Sequence, residues 1–91
     1  MNDVVIAKHH RPAESFDPVK LHESIAAACL AVRAFEGEAQ ITAERVCKAV
    51  LSWLLTKSEV TSADVRRVAA RHLALYDPEA AYMYEHHRMI I

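Results

Sequence analysis

The side chains that most often do chemistry are present in this sequence, but their spacing matches no catalytic or metal-binding motif. Cys29 and Cys47 do not form a Cys-x-x-Cys pair, and each lies among apolar residues at helical spacing. This placement favours two buried free thiols over a zinc or redox site. Adjacent histidines on a helix point in different directions and rarely share a metal. We therefore expect no metal site at the six histidines, which are His9, His10, His22, His72, His86 and His87.

Motifs for nucleophilic or phosphate chemistry are also missing from the sequence. It contains no glycine-rich phosphate loop, no Gly-x-Ser-x-Gly and no Cys–His nucleophile arrangement. We predict no catalytic residue and no enzymatic activity. If the protein acts on a small molecule, we therefore expect it to bind that molecule without converting it.

The charge balance limits the ligands that the chain as a whole could attract. Eleven Lys and Arg face twelve Asp and Glu, for a formal net charge of -1, whereas nucleic-acid-binding domains usually carry a basic excess. Direct nucleic-acid binding is not expected, and it would need Arg66, Arg67 and Arg71 to form a basic stripe. Any anionic ligand must be held by a local cluster of cations.

Length and composition predict one folded domain over residues 1–91. Apolar residues make up 53% of the chain, which is too many for a disordered segment. The start does not read as a signal peptide, and no apolar run approaches the 18 residues of a membrane span. We expect a cytoplasmic protein with no membrane contact.

The first half of the chain predicts a hairpin and then a helix. Residues 3–16 read as a β-hairpin, with β-branched residues before a proline-containing break. Asp17 is a good N-cap and Pro18 suits the first helical position, so helix one is predicted over 17–35. Gly37 would end it.

Three further helices are predicted, over 42–57, 62–75 and 78–90. Residues 61–64 resemble a capping box, and an Asp-Pro pair precedes the last helix. Residues 58–61 read as a short connection. Short connections favour antiparallel neighbours, so the predicted fold is mainly α (α+β), with a small N-terminal β-hairpin or sheet cap on a four-helix bundle. The positions predicted to face inward are Leu21, Ile25, Ala28, Cys29, Val32, Val46, Ala49, Val50, Trp53, Leu54, Val65, Val68, Ala69, His72, Leu73, Ala80, Met83, Tyr84 and His87.

Several segments together resemble the ATP-cone family. The family opens with a strand ending in Lys-Arg, then a tight turn, a Glu and Phe-Asp-x-x-Lys-Leu. The similarity runs over roughly residues 4 to 88, and its specificity comes from the order and spacing of the pieces. Those pieces are Val5-Ile6-Ala7-Lys8, Glu14-Ser15-Phe16-Asp17-Pro18-Val19-Lys20-Leu21, Glu59-Val60-Thr61-Ser62-Ala63-Asp64-Val65, Tyr76-Asp77-Pro78-Glu79-Ala80-Ala81, Tyr84 and Arg88.

The resemblance implies a regulatory function. ATP-cones have a small β-sheet cap over a four-helix bundle. They control ribonucleotide reductases, and a bacterial repressor of reductase genes, by binding ATP or dATP and changing quaternary structure. The expected ligand is ATP or dATP with Mg²⁺. The expected partners are a reductase, a repressor module or a second copy of the chain.

The resemblance also implies the residues of a nucleotide site. Lys8 and Lys20 would converge on the phosphates, with further contacts from His9 and Arg11. Other positions would recognise the base and the sugar. Glu14 and Asp17 would accept hydrogen bonds, Leu21 would frame the base beside Phe16, and the ribose would lie near Thr61, Ser62 and Arg66.

A second reading is a degenerate cone that has lost its nucleotide and acts as a helical protein-interaction domain. The turn after Lys8 lacks the family's glycine, and His9 stands where the family has arginine. A neutral histidine donates only one ring hydrogen bond. The sequence leaves open ATP against dATP, the oligomeric state, and whether the chain is free-standing or part of a longer protein.

Overall fold

The computed structural model describes residues 5–7, 14–15 and 17–86, with side chains for 17–86. Within these residues the chain is mainly helical, with four helices, and the prediction of a mainly helical fold is confirmed. The elements in chain order are β1 (Val5–Ala7), β2 (Glu14–Ser15), α1 (Pro18–Ala31), α2 (Glu36–Leu54), β3 (Glu59–Thr61), α3 (Ser62–Ala74) and α4 (Pro78–His86).

Helix α1 begins as the sequence predicts. The Asp17 carboxylate accepts the backbone N–H groups of Val19 at 3.0 Å and Lys20 at 3.4 Å, with Pro18 at the first helical position. Two of the N–H groups that every helix start leaves without a partner are thereby satisfied.

The end of α1 differs from the prediction. The helix stops at Ala31, and Arg33 takes a left-handed backbone conformation with φ 68°. The N–H of Ala34 then donates to the carbonyl of Cys29 at 3.1 Å, which is the closing bond of a Schellman motif. The prediction that Gly37 ends the helix is wrong, because an arginine already makes the turn that glycine usually makes.

Helix α2 starts at Glu36, six residues before the predicted start at 42. Phe35 is its N-cap position and makes no side-chain cap, but acidic residues Glu36 and Glu38 lie in the first turn. Their charges favour the positive end of the helix dipole, and Gln40 donates to Glu36 at 3.2 Å. Thr42 is a residue type that often caps a helix, and the sequence therefore predicts a start there, but it lies inside the helix. The predicted end at 57 is three residues too late.

The starts of α3 and α4 match their predicted caps. Thr61 accepts the N–H of Asp64 at 3.0 Å, and Asp64 accepts the N–H of Thr61 at 3.1 Å, which completes the capping box. Asp77 accepts the N–H of Ala80 at 3.1 Å before α4. Helix α3 ends one residue before the predicted 75, and residues 87–90 of the predicted fourth helix lie outside the described residues.

Three strands pair in the order β2–β1–β3. β1 runs antiparallel to β2, with Val5 opposite Ser15, and parallel to β3, with Ala7 opposite Thr61. The segment predicted as a connection over 58–61 therefore contains a strand. Its central residue, Val60, is 4% exposed between two exposed neighbours. This alternation of buried and exposed residues is typical of a strand, but three residues are too few to tell a strand from a turn in the sequence.

The helices pack in a ring in which α1 contacts α2 and α4, and α3 also contacts α2 and α4. Most of the predicted inward positions are buried in one core, and five of them are half-buried. Truncating a fully buried core residue such as Ile25 typically costs about 2–5 kcal/mol. The predicted inward positions that are buried are Leu21, Ile25, Ala28, Cys29, Val46, Val50, Leu54, Val65, Val68, Ala69, Leu73, Ala80 and Tyr84. The half-buried ones are Val32, Ala49, Trp53, His72 and Met83. His87 lies outside the described residues.

Among the four described helices, none has both the length and the apolar composition needed to cross a bilayer.

Candidate functional site

The predicted nucleotide-binding residues fall into three groups in the structure. Lys8, His9 and Arg11 lie outside the described residues, and Glu14 is described only as part of the backbone of β2. The other two groups lie at the starts of two helices. Asp17, Lys20 and Leu21 are at the start of α1, and Thr61, Ser62 and Arg66 are at the start of α3.

The small sheet brings these two helix starts near each other. β2 ends two residues before the N-cap Asp17, and the last residue of β3, Thr61, is itself the N-cap of α3. Because β2 and β3 flank β1 and neighbouring strands are about 4.8 Å apart, the two strands are separated by roughly 10 Å. Both helices therefore begin beside the same three strands.

The side chains at the start of α1 differ in what they offer a ligand. Asp17 uses one carboxylate oxygen, Oδ1, for both cap hydrogen bonds. Lys20 is exposed, whereas Leu21 is only 6% exposed and packs in the core. Leu21 could therefore contact a ligand only by its edge.

Arg66, at the start of α3, has an unusual environment. Its Nη1 atom is buried and has no hydrogen-bond partner among the described residues. A buried polar group without a partner costs about 1–3 kcal/mol, and a charged group costs more. The neighbouring Arg67 is different, because its side chain is 58% exposed and donates to Asp64 at 3.1 Å.

Two hydroxyl groups lie in the core. Tyr84 of α4 is 2% exposed and Ser24 of α1 is 5% exposed. Burial raises the pKa of Tyr84, while a hydrogen bond with Ser24 and the positive charge of Arg66 act in the opposite direction. Ser24 donates its own hydroxyl to the carbonyl of Leu21 at 2.8 Å. Three helices therefore contribute buried polar atoms inside the bundle, and we call Ser24 of α1, Arg66 of α3 and Tyr84 of α4 the polar cluster.

Sequence reasoning missed this cluster as a unit. Tyr84 was predicted to be a core residue, and Arg66 was placed near the ribose only through the family resemblance. The available signal was Ser24, a polar residue one turn before Ala28 on the apolar face of α1. A buried tyrosine hydroxyl usually finds a hydrogen-bond partner, so a serine on an inward face was a candidate for it.

A separate groove lies between α1 and α2 and has a volume of about 730 Å³. Small and aliphatic side chains, including Ala26, Leu30 and Leu51, form part of its lining. Its polar lining includes Glu44 and Lys48, which pair with each other at 3.2 Å. None of the six predicted nucleotide-binding residues whose side chains the structure describes lines this groove.

The cysteines are not poised for reaction. Both are buried and free, and burial raises the pKa of Cys29 and of Cys47 to about 11. Asp77 and Glu38 raise the pKa of Cys29 further by their charge. Both thiols are protonated at neutral pH and so are poor nucleophiles.

Over the described part of the chain, no group of three or more His, Cys, Asp or Glu side chains is arranged to hold a metal ion. The three arginines of α3 do not share one free surface either. Arg66 is half-buried, Arg67 is paired with Asp64, and Arg71 is exposed near the end of the helix.

Comparison with known proteins returns no relative: no family model, no curated protein and no solved structure matches this chain. The resemblance to ATP-cones rests on the motifs quoted above.

Proposed function

We propose that the chain is a regulatory adenine-nucleotide-binding domain of the ATP-cone type, which binds ATP or dATP with Mg²⁺ and carries out no reaction of its own. The observation that carries this proposal is the buried Nη1 of Arg66, which has no partner within the described residues. An anionic ligand would supply that partner.

A nucleotide phosphate fits the chemistry of Arg66 well. A guanidinium presents donors in a planar fork that matches phosphate oxygens, and such charge-assisted hydrogen bonds are stronger than neutral ones. The resemblance alone would assign Arg66 to the ribose. We assign it to a phosphate instead, because a ribose hydroxyl would leave the buried charge uncompensated.

The surroundings of Arg66 add positive potential. The N-terminal ends of α1 and α3 both lie beside the sheet, and helix N-termini favour anions. Lys20 is exposed in the first turn of α1. Lys8 follows Ala7 in the sequence, and Ala7 lies opposite Thr61. In this proposal the sheet caps the helices, and Lys8, His9 and Arg11 contribute cations from that cap.

Recognition of adenine is assigned to acceptors near the start of α1. Asp17 makes both of its cap bonds through Oδ1, so Oδ2 can accept the exocyclic amine of adenine. Glu14 is the second acceptor. A guanine carries an oxygen at that position and would meet the carboxylates unfavourably, so the site would discriminate against GTP.

The nucleotide would regulate a partner by binding two quaternary states of the protein with different affinity, because it then shifts the equilibrium toward the state that it binds more tightly. The controlled partner would be a ribonucleotide reductase, a repressor of reductase genes or a second copy of this chain. The protein would act in the cytoplasm, where ATP is abundant.

The test is a thermal-shift series with ATP, dATP, GTP and buffer at constant Mg²⁺, on the wild-type chain, Arg66→Gln and Arg71→Gln. Ligand at 100 times its Kd stabilises a protein by about 2.7 kcal/mol, which for a domain this size raises Tm by roughly 10 °C or more. We expect that rise with ATP or dATP but not GTP, its loss in Arg66→Gln, and its retention in Arg71→Gln. Arg71 is the matched control because it is exposed on the same helix.

A second candidate function is a protein-interaction domain without nucleotide binding. The groove between α1 and α2, with its aliphatic lining and a volume of about 730 Å³, favours it, because apolar concave surfaces often receive partner side chains. No shift with any nucleotide at millimolar concentration would reject the sensor and leave this candidate.

A further inference from the structure

The groove between α1 and α2 follows nearly the whole length of α1. Its lining residues recur at helical spacing on both walls, from Val19 to Leu30 on α1 and from Gln40 to Leu51 on α2. Each of these stretches spans eleven residue steps, which at 1.5 Å per residue is about 16 Å. The groove is therefore as long as about three turns of a helix.

Apolar side chains of the groove remain exposed at its two ends. Val19 is 62% exposed near the start of α1, and Leu30 is 41% exposed near its end. The lining between them includes Ala26 and Cys47, two buried and small side chains that leave space above them. A single exposed apolar residue needs no explanation, but apolar side chains along one concave strip are typical of a surface that receives a partner.

The charged groups along the groove are mostly acidic. Glu44 and Lys48 line it and pair with each other at 3.2 Å. Glu23 also lines it, is exposed, and has no salt bridge within the described residues. Glu36 reaches the lining through Gln40, whose side-chain amide donates to its carboxylate at 3.2 Å. Three carboxylates thus accompany one ammonium group, and a partner with lysine or arginine side chains would complement them.

The shape of the groove suits a helix better than an extended chain. Its walls are two helices whose backbone groups already bond within each helix, so an extended peptide would find no backbone partners there. A helix satisfies its own backbone and can place apolar side chains at i, i+3, i+4 and i+7 along one groove. A helix of about three turns would match the length of the lining.

A second copy of the chain is a poorer occupant. Stable interfaces bury roughly 800 Å² on each partner, whereas a strip about 16 Å long and one helix wide provides roughly a few hundred Å². A second copy would also bring the same acidic excess to the contact, and like charges that meet across an interface are unfavourable.

We infer that the groove between α1 and α2 is a docking site for a basic amphipathic helix of about three turns on a partner protein. The apolar face of that helix lies against Val19, Leu30 and Leu51, and its lysine or arginine side chains meet Glu23. This inference goes beyond the nucleotide-binding proposal and does not depend on it. It gives the second candidate function a partner of defined chemistry.

The experiment measures the binding of two designed peptides by fluorescence anisotropy. Both are fluorescein-labelled 14-residue helices with the same leucines on one face, and the other face carries lysines in one peptide and glutamates in the other. They are titrated with the wild-type chain, Ala27→Arg and Glu23→Lys. Ala27 is an exposed lining residue, so an arginine there fills the groove without entering the core. The matched controls are Ala74→Arg and Glu85→Lys, at exposed positions that do not line the groove.

We expect the lysine peptide to bind the wild-type chain more tightly than the glutamate peptide does. Ala27→Arg should weaken the lysine peptide by about 10-fold or more, because it places bulk and a like charge in the groove. Glu23→Lys should weaken the lysine peptide by about 3- to 10-fold and strengthen the glutamate peptide, because it replaces an exposed ion pair by a repulsion. Both controls should stay within about 2-fold of wild type.

The inference would be overturned by three results. The first is no binding of the lysine peptide, or equal affinity for both peptides. The second is an equal loss in Ala27→Arg and Ala74→Arg. The third is a wild-type dimer that Ala27→Arg dissociates in analytical ultracentrifugation, which would assign the groove to a second copy. Circular dichroism checks folding, and if Ala27→Arg does not fold, Glu23→Lys and its control Glu85→Lys decide.

The failure of this inference is distinguishable from the failure of the nucleotide-binding proposal, because the peptide titrations contain no nucleotide. Peptide binding without any nucleotide-induced shift in Tm rejects only the sensor. A nucleotide-induced shift without peptide binding rejects only the docking site.

Discussion

The two ends of the helical bundle differ in their most unusual side chains. At the sheet end, polar groups are buried, and Arg66 has a buried nitrogen with no partner in the described residues. The two most exposed large apolar side chains of the described residues lie at the other end, where α1 meets α2 and α3 meets α4: Phe35 is 82% and Leu75 77% exposed.

These departures differ in what they cost the isolated chain. An exposed apolar side chain on a surface is common and changes stability little, whereas a buried charge without a partner costs more than about 1–3 kcal/mol. The sheet end is therefore the place where a ligand would add most to stability. The turn end is held together by contacts that are already made, such as the Arg45 guanidinium 6.0 Å from the Tyr76 ring centre.

The largest expected effect is on the stability of the ligand-free protein at the sheet end. Arg66→Met replaces the guanidinium by an apolar side chain of similar length, which removes the desolvation cost of the buried nitrogen. We expect the free energy of unfolding to rise by about 1–3 kcal/mol in urea titrations without nucleotide. Arg71→Met, at an exposed position, should stay within about 0.5 kcal/mol of wild type. A fall in stability for Arg66→Met would mean that the guanidinium already has a partner, and the contrast between the two ends would disappear.

The next effect concerns the capping box that starts α3 and so positions Arg66. Thr61→Ala removes the side-chain acceptor for the N–H of Asp64 and should cost about 1 kcal/mol of unfolding free energy. Thermal and urea unfolding measure it. No loss would show that the cap does not stabilise this end.

The same box predicts a pH dependence. Hydrogen bonds from the Thr61 backbone and side chain, then from Arg67, lower the pKa of Asp64 below its usual 3.8. A carboxyl with a lowered pKa in the folded state stabilises the protein above its unfolded pKa, and that contribution is lost as pH falls through the folded pKa. The contribution is therefore present at pH 7 and lost below about pH 3.8. Urea midpoints between pH 7 and pH 2.5 should fall less steeply in Asp64→Asn than in wild type, and parallel curves would contradict the assignment.

A smaller effect is expected at the turn end. Gly37 lies in the first turn of α2, and a Cβ added there meets nothing within 4 Å. Gly37→Ala should raise the free energy of unfolding by about 0.5–1 kcal/mol, because alanine loses less backbone freedom on folding. Arg33→Gly, at the position with φ 68°, is the companion variant and should not destabilise. A loss of stability in Gly37→Ala would place a neighbour where the structure has open space.

The smallest expected effect tests whether the two ends are independent. Phe35→Ser changes a side chain that is 82% exposed, so unfolding free energy should change by less than about 0.5 kcal/mol. The nucleotide-induced shift in Tm should also be unchanged. A reduced shift would mean that ligand binding at the sheet end depends on an apolar contact at the turn end.

Some elements were predictable because their causes are local. Asp17 with Pro18, and Thr61 with Asp64, are start signals that act within four residues, and both caps formed as predicted. The inward faces of the helices were predictable for a similar reason, since apolar residues three and four apart lie on one side of a helix.

Other elements could not be predicted from one local signal, because a second signal or a distant partner decided them. Gly37 looked like a helix end, but Arg33 turned the chain first, and a non-glycine residue in the left-handed region is uncommon enough that sequence rules do not anticipate it. The strand β3 has three residues and exists because it pairs with β1, a partner more than fifty residues away in the chain.

By itself, the sequence determined the mainly helical character, the number of helices and the caps of three of them, because periodicity and capping are short-range effects. It also suggested the nucleotide site, through motifs that resemble those of ATP-cones. Four residues of those motifs have side chains that the structure does not describe: Lys8, His9, Arg11 and Glu14. Only the tertiary structure decided that Ser24, Arg66 and Tyr84 each carry a buried polar atom, since they come from three helices that pack together. The buried nitrogen of Arg66 is a property of that packing, and neither spacing nor composition can reveal which charged atom a folded core leaves without a partner.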